Sequence, residues 1–338
     1  MTKYEESTVL EVGARGKHAA TGFELVSRTV VKSDAGGIWN EWVLRFDDGR
    51  VGFLAEARGW FTLVFEQPIA PARGKLVVGA PLDTGFLVTE RGAASRIATW
   101  GEPQIAPKRY EYADLSSRDG ETATIDYGEG EPHVFVGRRF TLKELGLAPR
   151  AARPKFLPVK ETSPPRGLEP CLSVGDEGTL AGVRWRVIGL LQRSIRIEGE
   201  RYTWEEYLLH DPANGFRWLV VSDGHWNLVE GIDPGRVTLD GENATFDGVR
   251  HELWSEGKAK VEWAAGEMPW EVTIGDTTDV KDYVKAPHVL SWEKAGDEIV
   301  WSRGVYTPPE TIAKGFGKRV LPKPQGRAPN QPRSTSRR

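Results

Sequence analysis

The chain has one cysteine, Cys171, and two methionines among 338 residues. A lone thiol closes no intramolecular disulfide, and without a CxxC pair there is no cysteine-based zinc site. No neighbouring base marks Cys171 as a nucleophile, so it reads as a small, half-buried residue. Long apolar runs are missing too: there is no stretch of 18 apolar residues, and the opening MTKYEESTVLEVG lacks the apolar core of a signal peptide. The expectation is a cytoplasmic protein without a transmembrane segment, meeting a membrane only indirectly through a partner. Neither sign of charge dominates, with 45 Lys+Arg against 48 Asp+Glu, so no whole-molecule field favours specific nucleic-acid binding. The GxSxG elbow, the GxxxxGK[ST] loop and the GxGxxG fingerprint are all absent. The six histidines show neither HxH nor HExxH spacing, so neither a metal nor a cofactor is expected.

What the chain does contain is 13 tryptophans, 38 glycines and many β-branched residues, the composition of strands and tight turns. A chain of this length fits two units of roughly 150 residues better than one core. The stretch 201–229 reads as three strands joined by tight turns, and a diverged copy occupies 38–64. Trp39, Glu41, Trp42, Gly59 and Phe61 match Trp204, Glu206, Tyr207, Gly224 and Trp226 at one spacing of 165 residues. Further on, Gly101, Glu102 and Pro103 answer to Gly266, Glu267 and Pro269. The pattern predicts a tandem duplication and a mainly β fold. Each unit is expected as a small twisted barrel or meander followed by a second, sandwich-like strand-rich segment, closed by one short helix, at 142–145 and at 308–316. The expected organisation is a loose polar leader (1–8), a first unit (9–147), a Pro-rich linker (148–170), a second unit (171–320) and a disordered basic tail (321–338).

The VGdxG opening, the W-x-E-[YW]-x-L strand, the G-x-W-x-L-V hairpin and the later G-E-x-P segment resemble a bacterial family, domain of unknown function 4178. Gly175, Gly178, Trp204, Glu206, Tyr207, Gly224, Trp226, Gly266, Glu267, Pro269, Trp270, Tyr283 and Trp301 carry the resemblance in the second unit. It implies a cytoplasmic setting and a link to membrane-stress or polyamine-related operons. Some relatives carry a cysteine-rich zinc-binding segment at the amino terminus, a role that does not transfer to this chain.

The candidate binding residues are Trp204, Glu206, Tyr207, Trp226, Glu267 and Trp270, with Trp39, Glu41, Trp42 and Glu102 as their first-unit counterparts. No catalytic residue is assigned. A carboxylate between aromatics on a strand has a raised pKa if buried, which suits acid–base work. Against this stands a glutamate paired with an arginine at a barrel edge, and a GE turn that fixes a hairpin. Trp270, after Pro269 in a turn-rich segment, is the tryptophan expected to be exposed; Ile105 stands nearest its place in the first unit. The functional reading is a non-enzymatic interaction or scaffold module with a protein partner. The alternatives are a sensor of a polar or cationic metabolite held between Glu206, Glu267 and tryptophans, and a hydrolase using paired glutamates.

Overall fold

The computed structural model describes residues 4–68, 76–104, 108–128, 131–160, 163–318 and 321–333. The chain divides into two compact units. Unit 1 comprises Met1–Leu157 with Pro212–Gly215 and Pro269–Glu271, and unit 2 comprises Pro158–Asp211, Phe216–Met268 and Val272–Arg338. A two-residue strand, β10 (Leu157–Pro158), marks the division. Ile105 lies outside the described residues.

The strands of unit 1 are β1 (Arg15–His18), β2 (Thr21–Ser33), β3 (Ile38–Phe46), β4 (Val51–Ala57), β5 (Trp60–Gln67), β6 (Phe86–Gly101), β7 (Arg109–Ser117), β8 (Glu121–Tyr127) and β9 (His133–Phe140). Their antiparallel pairings run β2–β3–β4–β5–β9–β8–β7–β6 and return to β2, which closes an eight-stranded barrel. Closure leaves none of these strands as a free edge. β1 adds to the start of β2.

Unit 2 contains β11 (Glu177–Leu180), β12 (Val183–Ile197), β13 (Glu200–Asp211), β14 (Gly215–Ser222), β15 (His225–Ile232), β16 (Val237–Asp240), β17 (Asn243–Phe246), β18 (Val249–Met268), β19 (Thr277–Lys285), β20 (His288–Ala295) and β21 (Glu298–Thr307). It repeats the pairing order: β13 with β12, β12 with β18, then β19, β20, β21, β15 and β14 in turn. β11 extends β12, and the β16–β17 hairpin extends β18.

Strand alternation explains the burial. On β3, Trp42, Leu44 and Phe46 are buried while Arg45 between them is exposed. Phe23, Leu25, Trp42, Leu44, Leu54 and Leu63 form the largest core of unit 1, under Leu142, Leu145 and Leu147. Trp185, Val187, Tyr207, Leu209, Leu219 and Trp226 do the same in unit 2, under Ile312 and Phe316. Both long ladders bend at a bulge, Leu25/Ser27 in β2 and Val187/Gly189 in β12. A second bulge falls at Val88/Glu90 in β6 and at Leu253/Ser255 in β18. The glycine of each GE segment serves the first bulge. Gly101 and Gly266 have φ of +84° and +81°, and a side chain there would meet the carbonyl of Val26 or Ile188 within 2.3 Å. Only glycine combines that φ with so close an approach.

Three expectations need correction. Among the described residues there is one α-helix, α1 (Pro309–Gly315), with proline in its first turn and Glu310 beside it. Residues 142–145 form hydrogen-bonded turns instead. Thr141 and Glu144 cap each other, but Gly146, at a φ of +64°, ends the coil after one turn. The leader is tied down: Arg28 donates to the carbonyls of Tyr4 and Glu5, and Thr8 donates to Glu56 at 2.5 Å. The basic tail is ordered over 321–333. Asn330, 2% exposed, donates to Asn227 and to the Pro287 carbonyl, and Gln325 donates its amide to Asp223 O. Paired backbone and a buried asparagine outweigh the polar composition; residues 334–338 lie outside the described residues.

Candidate functional site

Each barrel holds a carboxylate–guanidinium–carboxylate cluster on its concave face. In unit 1, contacts between strands that are not neighbours identify that face. Glu41 on β3 meets Tyr110 on β7, Trp39 on β3 meets Tyr112 on β7, and Phe53 on β4 meets Phe135 on β9. Glu41 Oε1 accepts hydrogen bonds from Trp39 Nε1 and Tyr110 Oη, both at 3.1 Å. Beside it Arg96 on β6 donates to Asp126 on β8 at 2.9 Å.

In unit 2 the corresponding carboxylate is Glu206 on β13. Its Oε1 accepts from Trp204 Nε1 at 2.6 Å and from Arg193 Nη1 at 3.2 Å. The same guanidinium reaches Glu293 on β20 at 2.9 Å. Arg193 is 7% exposed at its side chain and Glu206 13%. Deeper along β19, Asp282 accepts from Ser291 at 2.6 Å.

The registers show a difference between the two clusters. In unit 2 the arginine stands on β12 and its cross-strand partner on β18 is Val261; in unit 1 the pair is Val31 on β2 and Arg96 on β6. The ladder irregularity falls at the same step in both. The cation stands on different strands in the two clusters while the carboxylates hold equivalent places, Glu41 and Asp126 answering to Glu206 and Glu293.

Burial pushes the Glu206 carboxyl above the ordinary glutamate range, although Arg193 and Trp204 pull it back. Burial does the same to Glu41 against Trp39, Arg96 and Tyr110, and to Asp282 against Ser291. Such carboxyls are chemically suited to proton exchange. Here they face side chains of their own barrel, which is the arrangement of a structural ion cluster.

The other candidates scatter. Tyr207 and Trp226 are fully buried and stack at 5.8 Å, and the Tyr207 hydroxyl meets Glu205 and the Cys171 amide. Trp42 is fully buried and donates to Glu56 at 3.2 Å. Burial raises the Glu56 carboxyl against donation from Thr8, Val9 and Trp42. Glu102 is exposed, and its amide closes the bulge on Val26 O at 3.0 Å. Glu267 is half-buried at the end of β18. Glu206 pairs with Leu191, which pairs with Ala264, three residues before Glu267. That is roughly 10 Å along the strand, so Glu206 and Glu267 are not brought together. Trp270 is half-buried and bridges Gly37 within unit 1.

The exposed indole is instead Trp254, at 64%, in the bulge of β18. The adjacent Leu253-Trp254 pair breaks the alternation of that strand, and was the available signal. Arg193 had a signal too, as a charge inside the apolar run of β12. Arg96, Asp126, Asp282 and Glu293 had none, because side-chain pairs across several strands leave no local pattern. Among the described residues no group of three or more His, Cys, Asp or Glu could hold a metal ion. No helix of the described residues is long and apolar enough to cross a membrane.

No curated protein and no solved structure matches the chain. Residues 173–309 match the family model described as Domain of unknown function (DUF4178), and this stretch, from the start of the second barrel to α1, is a DUF4178-like domain.

Proposed function

We propose that the chain is a non-enzymatic interaction module whose two barrels arose by tandem duplication, and that unit 2 recognises another protein through the surface around Trp254. The observation that carries this reading is the 64% exposure of Trp254 on a strand bulge, where an indole stands in water with its ring available for contact. Exposed tryptophans are disproportionately the anchors of protein interfaces. The engagement of Glu206 and Glu41 by their own barrels weighs against catalysis by these acids. Matching bulges and matching ion clusters support the duplication. The bacterial cytoplasm is the setting this reading assumes.

Tagged full-length chain and its Trp254→Ala variant, purified from the native cell at low and moderate salt, test the proposal. One protein recovered near stoichiometry with the parent and lost with the variant is the expected result. Equal recovery with both would move the site elsewhere, and no recovery with either would sink the interaction reading.

A further inference from the structure

We infer that unit 2 carries a binding site for a tetrahedral oxyanion, such as a phosphate group, built from His251, Lys285, His288 and Arg303. The four stand on one face of β18–β21. Leu253, Tyr283, Leu290 and Arg303 are successive cross-strand partners, so they share a face and form one row. His251, Lys285 and His288 are each two residues away on the same strands, and Lys285 pairs directly with His288. They therefore form the adjacent row of that face. His251 and His288 lie two strand spacings apart, roughly 10 Å between α-carbons, with Lys285 on the strand between them.

Three nitrogens in this group are buried without a hydrogen bond of normal geometry, His251 Nε2, His288 Nδ1 and Arg303 Nε, although the Ala244 backbone beside His251 interacts weakly with its ring. His251 is 2% exposed, and its Nδ1 is already occupied by the Val249 carbonyl at 3.0 Å. Buried polar atoms are rarely left without a partner, and three together call for a ligand that meets them. Charge says which kind. Lys285 adds an ammonium at the exposed side, and Arg303 spends one edge on Glu230 at 3.5 Å, leaving its Nε free. Glu230 also binds Arg217, whose guanidinium lies over Trp185, and Arg236, which shares the Phe246 ring with Arg303, binds Asp247. All four groups of the site are cationic or basic, and the carboxylate that reaches one of them, Glu230, is already shared with Arg217.

The fold does not require this set. The bulges at Val88/Glu90 and Leu253/Ser255 align the two ladders. Phe86, Ser117, Glu121 and Val136 then hold the places of His251, Lys285, His288 and Arg303. The same barrel position is built in unit 1 without any histidine, and with a carboxylate where unit 2 has His288.

Burial lowers both imidazoles below the usual histidine range; on His251 the Val249 and Ala244 backbone groups oppose it while His288 and Lys285 add to it, and on His288 Arg303 adds to it. An anion reverses that balance. Its charge favours the imidazolium, so binding takes up a proton and tightens as pH falls. With one proton taken up per anion, affinity changes by about tenfold per pH unit above the free-protein pKa.

Sulfate is the probe, because its charge is constant from pH 6 to 8. Calorimetric titration of the full chain against sulfate, at ionic strength fixed with chloride, is expected to show one saturable site, tighter at pH 6 than at pH 8 by at least tenfold. Arg303→Gln and, separately, His288→Gln should each weaken it at least tenfold while leaving the thermal midpoint in chloride within a few degrees of the parent. If sulfate gives no saturable binding at either pH, or binds both variants as it binds the parent, the site does not exist. Saturable binding without pH dependence would remove the histidines from it and overturn the assignment.

Discussion

Exchanging the position of one buried arginine tests whether the ion clusters obey a shared rule. Arg193→Val removes the cation between Glu206 and Glu293 and installs the residue found at this ladder position in unit 1, Val31. Removing one partner of a buried ion pair costs about 3–5 kcal/mol. The lower end applies here for two reasons. Glu293 is 32% exposed and keeps some water, and Glu206, whose carboxyl burial already raises, can take up a proton, at about 1.4 kcal/mol for each pH unit between its new pKa and neutrality. The expected loss is about 3 kcal/mol. Adding Val261→Arg restores a guanidinium on the opposing strand, as Arg96 stands opposite Val31. This second change should recover about 2 kcal/mol, where an arginine at a strand position next to an intact cluster would only destabilise. Urea unfolding at pH 7 followed by tryptophan fluorescence reads the outcome: with a slope of about 2 kcal/mol/M, the single variant moves the midpoint down by about 1.5 M and the exchange returns about 1 M of it. A double variant no more stable than Arg193→Val would refute the idea that the two clusters are the same device with the cation on different strands.

Two further predictions concern other buried polar groups. Glu41 is held above the usual glutamate range by burial, so the folded state keeps a proton that the unfolded chain releases at the ordinary glutamate pKa of about 4.5. That contribution is fully present below this pH and is lost as pH rises through the folded value. Glu41→Gln should therefore gain relative to the parent between pH 4 and 7 in urea titrations, and a difference independent of pH would contradict the assignment. Trp226 is fully buried, and its Nε1 has no hydrogen-bond partner among the described residues, while Phe61 holds the equivalent place in unit 1. Trp226→Phe should thus change stability by no more than about 1 kcal/mol, because relief of the unmet N–H offsets the lost ring, whereas Trp226→Ala should cost about 3–5 kcal/mol. Thermal unfolding of both variants separates these outcomes.

The mainly β fold was legible because its signals are local. Alternation on β3 and β12, DG and NG turns and glycine-marked bulges each act over a few residues. The pairing of Glu206 with an arginine was legible only as a residue type, since Arg193 lies across a ladder. Barrel closure joins β6 to β2 and β9 to β5, long-range pairings that no short window contains. The ordered tail was misread for a related reason. Its composition is that of a solvated segment, but Asn330 finds its partners at Asn227 and Pro287, far away in sequence. Trp270 was expected outside because of its turn-rich neighbourhood. Exposure depends on what packs over a residue, and the bulge of β18 presents Trp254 instead.

Comparing the two barrels position by position separates what the architecture needs from what one unit has added. A carboxylate, a guanidinium and a second carboxylate occur inside both, with the arginine on a different strand in each. The same charge set built with the arginine on different strands points to a constraint on the total charge and hydrogen bonding of the interior rather than on any one residue, as expected where a lone buried ion would be costly. The row of His251, Lys285, His288 and Arg303 behaves oppositely. It has no counterpart in unit 1, it leaves buried nitrogens unmatched, and its replacement there by Phe86, Ser117, Glu121 and Val136 is compatible with the same strand pairings. Unmatched buried nitrogens that the same strand pairings do without in unit 1 are better explained by binding than by folding.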